Sequence, residues 1–318
     1  MSPTAIPGNL LLKNGMVITG SQRHQPAALL DQFPGAAAAY SLRNLVGTSN
    51  PAVVRVRRDN DDAEQDFTAA EVSDGTLAAW VGAGNNGFVR TWYDQSGNGN
   101  HAQQSSSVSQ PQIVASGSVI MTNSKPSIQF GGGVGVMTAS VSGLLTAPEF
   151  YSFSVVQPSA ASAPDTSTIA LFGFDLGGSN SQNKGFQVGV GTGTLSNETY
   201  CVYFSSSSTN AGRLGSTSYS HSANQQLLHR AVLGSSGFVG AKNGTAITMN
   251  LVYKITTSSN VSPVAANAIS PNLHIASPSG TAVPLSQKYQ ELVVYFSNKT
   301  PVASSIEANI NAHYSIYP

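Results

Sequence analysis

The chain has 318 residues, of which 40% are hydrophobic and only 9% charged, with fifteen basic and fifteen acidic side chains and a formal net charge of zero. Long amphipathic helices need charge on their outer face, so this composition argues for strands solubilised by hydroxyl and amide groups. No basic surplus remains to neutralise phosphates, so no nucleic-acid partner is expected; the single Cys201 excludes a disulfide framework.

Residues 1–20 lack the basic stretch and long apolar run of a secretory signal, and no run of about eighteen apolar residues spans a membrane. The chain is therefore expected to be made in a host cytoplasm, to insert in no membrane, and to reach any exterior as part of a particle. Pro3, Pro7, Gly8, Gly20 and Pro26 break up the first 30 residues. Only 10–12 and 16–19 can pair there, around Asn14-Gly15. So small a piece cannot fold alone, which makes 1–30 a docking arm ahead of one domain, 31–318.

Residues 25–45 carry helical spacing interrupted at Pro34-Gly35, and read as two short helices. In 53–57, Val54 and Val56 alternate with Arg55 and Arg57, as in a strand covered on one face. An acidic turn at 59–62 leads to a return strand at 64–67, with arginine facing Asp or Glu across the pair. Residues 73–80 read as a helix capped by Ser73 or Asp74. Strand patterns then recur at 88–93, 111–114, 127–130, 151–157, 168–174, 185–190, 199–204, 226–233, 238–242, 245–252, 272–275 and 290–296, separated by Gly, Ser, Asn and Pro. Short strands at this spacing predict a sandwich. A last helix opens with Thr300 as cap and Pro301 at its first position, placing Ile306, Ile310 and Tyr314 on one face.

The most distinctive stretch is 91–101, Thr-Trp-Tyr-Asp-Gln-Ser-Gly-Asn-Gly-Asn-His. It reads as a strand ending in a tight polar loop, with Asp94, Gln95, Ser96 and Asn98 bonding its backbone. Trp92 and Tyr93 point to opposite sides, one toward the core. Together with 54–58 and its acidic turn, and with Ala39-Tyr40-Ser41-Leu42, this loop resembles the catalytic domain of fungal-type α-L-arabinofuranosidase B. The resemblance runs over most of 36–318 and is strongest in 36–101. It implies an all-β, concanavalin A-like jelly-roll sandwich with a few short helices. The ending, Glu291-Leu292-Val293-Val294-Tyr295 and then Ile306, Ile310 and Tyr314, resembles lectin/laminin-G-like modules. With such an arm ahead of them, these modules are similar to structural proteins of tailed bacteriophages.

A retaining glycosidase needs two carboxylates about 5 Å apart. The resemblance places the nucleophile just after a Phe-Asp-Tyr-Gly-like strand end, which here reads Phe174-Asp175-Leu176-Gly177 followed by Gly178, Ser179 and Asn180, without Glu. It places the acid/base in a Gly-rich turn, which here reads Ala276-Ser277-Pro278-Ser279-Gly280, without Asp. The family's disulfides are missing too. No catalytic residue is therefore assigned. Candidate carbohydrate-binding residues are Trp92, Tyr93, Asp94, Gln95, Asn98, Asn100, His101 and Asp175; Trp80, Tyr200, Tyr203 and Tyr219 are further stacking surfaces. His24, His101, His221, His229, His274 and His313 are scattered as surface or loop residues, and 59–64 lacks the spacing of a calcium loop, so no metal or cofactor is expected. The expected function is a non-enzymatic virion protein of a tailed phage (tail fibre, receptor-binding or capsid decoration), a homo-oligomer such as a trimer, docked to other virion proteins through 1–30, with cell-surface glycan as a candidate partner. The alternatives are an arabinofuranosidase-like hydrolase and a carbohydrate-binding module of a bacterial surface protein.

Overall fold

Two strands carry apolar side chains on both faces because both faces are covered. In Gln287–Tyr295, Leu292 and Val294 point into one core while Val293 and Tyr295 point into another. Phe150–Pro158 does the same, with Phe150 and Val156 on one side and Phe153 and Val155 on the other. The computed structural model describes residues 9–11, 17–19, 27–131, 135–141, 149–159, 169–175, 185–190, 201–205, 211–215, 221–234, 237–247, 250–254, 272–276 and 286–318.

Around these strands stand two antiparallel sheets. In the first, Gln287–Tyr295 is flanked on one edge by Phe150–Pro158, Leu227–Gly234, Gly237–Lys242 and Thr245–Ile247 in turn. Ala38–Ser41 and Ile128–Phe130 share its other edge. The second runs from Met137–Ser140 through Asn272–Ile275, Ile169–Asp175, Gly185–Val190, Cys201–Ser205 and Ala211–Gly215 to Asn250–Lys254. Gly87–Trp92 joins the two: its Thr91 end pairs with Ala102–Gln103 and its Gly87 end with Gln112–Ala115. The larger core lies between the sheets, where Met137, Phe172 and Ile275 meet Tyr289, Leu292 and Val294. This is a β-sandwich. The smaller core lies outside the first sheet, under the C-terminal helix Ala303–Tyr314, whose Ile306, Ile310 and Tyr314 are buried as the helical spacing requires.

Several elements differ from the sequence reading. The second helix expected within 25–45 is a strand: only Leu29–Gln32 is helical, and Ala38–Ser41 pairs with Glu291 to Val294. Alanine favours helix intrinsically, but here both faces are buried and small side chains let the strand lie flat, so packing overrides propensity. The helix at 73–80 resolves into Ala69–Ser73 and Thr76–Val81. Thr68 and Glu71 form a capping box on the former, and Asp74 accepts from the Thr76 N–H at 2.9 Å between them. Thr300 opens a 3-10 turn and bonds Tyr151 instead of capping the last helix. The arm's hairpin pairs as expected, Leu10 with Ile18 and Leu11 with Val17. A boundary at 30/31 would cut the first helix at a fully buried Leu29, whose partners are in the smaller core.

Candidate functional site

Trp92, at the end of its strand, is fully buried beside Tyr40, and Tyr93 turns outward, as alternation requires. Asp94 then folds the loop around itself. Its Oδ1 accepts from the Ala39 N–H at 2.8 Å and the Ser96 N–H at 2.9 Å, and its Oδ2 accepts from Ser96 Oγ at 2.7 Å and the Asn100 N–H at 3.0 Å. Gln95 Oε1 accepts from the Leu45 N–H at 2.8 Å while its amide donates to the carbonyls of Ser41 and Arg43. The Asn98 and Asn100 amides reach the carbonyls of Ala36 and Ala37. His101 Nδ1 accepts from the Asp94 N–H at 3.1 Å and the ring packs edge-on to Tyr93. Gly97 and Gly99, at φ of 89° and 73°, supply the left-handed turns. The loop is a clasp on 36–45, in which the Asp94 carboxyl and the Gln95, Asn98 and Asn100 amides bond backbone groups.

Tyr93 donates to Asp66 Oδ1 at 2.8 Å, and Asp66 is also held by Arg55. Arg55 keeps the Asp66 carboxyl below its usual range, while burial and then Asp66 push the Tyr93 phenol up to about 12. In the acidic turn, Asp59 bonds Asn86, Asp61 pairs with Arg58 and Asp62 with Arg57. Among the described residues no group of three His, Cys, Asp or Glu is placed to hold a metal ion.

The histidines are not all peripheral. His221, His229 and His274 are buried, the last two in strands, and His229 is pushed down to about 3 by burial and by the neighbouring His221 and Lys242. Single polar residues on mostly apolar strands left no trace of this in the sequence.

Asp175 stands apart from the loop, at the end of Ile169–Asp175 beside Gly185 and Asn272. On the same strand pair Phe172 faces Ile275. The stretches after Asp175 and after Ile275 therefore leave opposite ends of the pair, about 10 Å apart along it at ~3.4 Å per residue. Ser140 also pairs with Asn272. Glu149, just ahead of Phe150–Pro158, has its Oε2 buried without a hydrogen-bond partner among the described residues. The candidate stacking residues Tyr200 and Tyr219 lie outside the described residues, and Trp80 is packed on Phe67 and under Arg58.

A cleft of about 830 Å³ opens between 42–50, helix Ala69–Ser73, the hairpin at 121–126 and the end of the C-terminal helix. The hairpin turns through Asn123 and Ser124, both left-handed, and is pinned by the Gln290 amide, which donates to the carbonyls of Thr122, Lys125 and Pro126. On the floor lies Arg43. It grips the fully buried Glu291 through Nε at 2.7 Å and Nη2 at 2.9 Å, and Nη1 donates to Asn309 Oδ1 at 3.0 Å. Ser41 Oγ and Tyr314 OH also donate to Glu291 Oε2. Burial opposes the Arg43 charge, but Glu291 outweighs it and raises the guanidinium pKa. Beside it, His313 is pushed down to about 4, first by burial and then by Arg43, with Lys125 adding to the effect and Glu291 opposing. Arg43, Lys125 and His313 escaped the sequence reading because they lie far apart in the chain. Only the turn signature Asn123-Ser124 marked the hairpin that brings Lys125 in.

No protein-family model matches the chain, and no curated protein matches it in sequence. Among solved structures it is similar to a GH54 α-L-arabinofuranosidase soaked with a cyclic sulfate inhibitor, with a TM-score of 0.60 and 13% identity over 89% of this chain. An arabinofuranosidase complexed with arabinofuranosyl-α-1,2-xylobiose gives a TM-score of 0.59, again with 13% identity and 89% coverage. The match spans 64% of the length of each of those chains. At that identity the likeness is one of fold.

Proposed function

We propose that this chain is a non-catalytic, glycan-binding β-sandwich that serves as a structural component of a tailed-phage particle, in a tail fibre, a receptor-binding position or a capsid decoration. The observation that supports the non-catalytic part is the sequence of the two stretches that match the resembled family's carboxylate positions: apart from Asp175 neither holds a carboxylate. A retaining hydrolase needs a nucleophile and an acid/base about 5 Å apart, and these stretches supply one carboxyl group between them. The glycan part is supported by the cleft, which combines hydroxyl, amide and cationic groups with apolar wall residues. The particle part rests on the arm and on the resemblance to phage modules; symmetric assembly would turn weak sugar contacts into avidity.

The purified protein is expected to release no nitrophenol from an aryl α-L-arabinofuranoside above the buffer rate. Turnover that disappears in Asp175→Asn or Glu149→Gln would overturn the non-catalytic reading. That outcome would establish the second reading, a glycoside hydrolase, which is favoured by the likeness of fold. A glycan array without a single bound saccharide would remove the glycan part.

A further inference from the structure

The cleft floor holds a fixed cation. Arg43 bonds Glu291 through Nε and Nη2 and Asn309 through Nη1, lies over the Tyr314 ring, and leaves 13% of its side chain exposed to the cleft. Its geometry is set by the bidentate grip on Glu291, so its exposed edge is held in place before a ligand arrives. On the wall above, the Lys125 ammonium has no hydrogen bond or ion pair among the described residues, although its backbone is clamped by Gln290. Thr48, Asn50 and Ser124 line the same space with hydroxyl and amide groups that make no side-chain hydrogen bond among the described residues, and Met121 adds an apolar surface that is 45% exposed. At the other end Asp31 accepts from the Gly47 N–H at 2.9 Å, so the cleft is polar end to end, positive at Lys125 and negative at Asp31.

We infer that this cleft binds an anionic saccharide, with the anionic group at the Lys125 and Arg43 end and the hydroxyls along Thr48, Asn50 and Ser124. The inference rests on the glycan-binding reading and adds to it a site and a ligand class. The sugar carboxylate or phosphate takes charge-assisted hydrogen bonds from groups already in place, and the apolar face of the ring lies on Met121.

The test is an array of neutral saccharides with their uronate-, sialate- and phosphate-bearing counterparts, followed by calorimetry on the best pair. The anionic member is expected to bind at least tenfold more tightly than its neutral counterpart, and the array shows which anion is preferred. Lys125→Gln, a change at a half-exposed side chain, is expected to abolish the preference while thermal unfolding is unchanged. Equal affinity for neutral and anionic members overturns this inference and leaves glycan binding standing. A preference that survives in both Lys125→Gln and Met121→Glu places the anion elsewhere and overturns the site. Silence across the whole array overturns this inference and the glycan reading together.

Discussion

Asp94 organises the loop that resembles the arabinofuranosidase domain, and its role decides how that resemblance is read. Four donors converge on one buried carboxylate, one of them, the Ala39 N–H, from outside the loop. Asp94→Ala leaves the Ala39 and Asn100 N–H groups without acceptors, and each such loss costs about 1–3 kcal/mol. The variant is expected to unfold at a urea midpoint lower by an amount equivalent to about 3–5 kcal/mol. If it instead keeps its midpoint and loses a bound glycan, the loop is a sugar site. The motif was legible because Asp, Asn and Gly at these positions carry turn chemistry; which backbone they clasp was not, since 36–45 is remote in sequence. His229 gives a second test at this scale. Its pKa is about 3 in the fold against about 6.5 unfolded, so the unfolded chain takes up the proton first as pH falls. Stability is full above pH ~6.5 and falls toward pH ~3, by about 1.4 kcal/mol per pH unit for a single group. Urea titrations at pH 7.5 and 5 should show this loss in the wild type and a smaller one in His229→Gln; parallel losses would show that other groups dominate.

At the level of elements, the C-terminal helix is held by packing, by the Glu307–Arg230 ion pair and by a polar node at Glu291. Ile306, Ile310 and Tyr314 cover Val293 and Tyr295, and Glu291 ties the strand beneath to Arg43, Ser41 and Tyr314. Removing one partner of a buried ion pair strands the other charge, at about 3–5 kcal/mol. Arg43→Met is therefore expected to lower the stability by that amount, and Arg43→Met combined with Glu291→Leu to recover most of it. Additive losses in the double variant would mean that the two residues contribute independently, with no coupling between them. Strands and this helix were readable from the chain because alternation and the 3.6-residue spacing act locally. Ala38–Ser41 was not, because its state is set by hydrogen bonds to Glu291 to Val294. Arg43 opposite Glu291 was likewise invisible: no local pattern announces a partner on the far side of the chain.

At the level of the whole molecule, the question is where the sandwich ends and the arm begins. Leu29 is fully buried against the smaller core, and the Ala27 carbonyl accepts from the Asn309 amide at 3.1 Å. The chain is thus part of the sandwich from Ala27 onward, and a truncation that tests the arm must stop before it. Burying a leucine contributes about 1.5–3 kcal/mol, so removing residues 1–30 would mix lost stability with lost docking. Removing residues 1–26 separates them. The shorter deletion is expected to keep the wild-type melting temperature within about two degrees, whereas the longer one should fall by several degrees. If the arm is what docks, the 27–318 protein folds, keeps any glycan binding, and fails to join its particle when supplied in place of the full chain. Normal incorporation of that truncated protein would move the docking surface onto the sandwich itself and end the arm's assigned role.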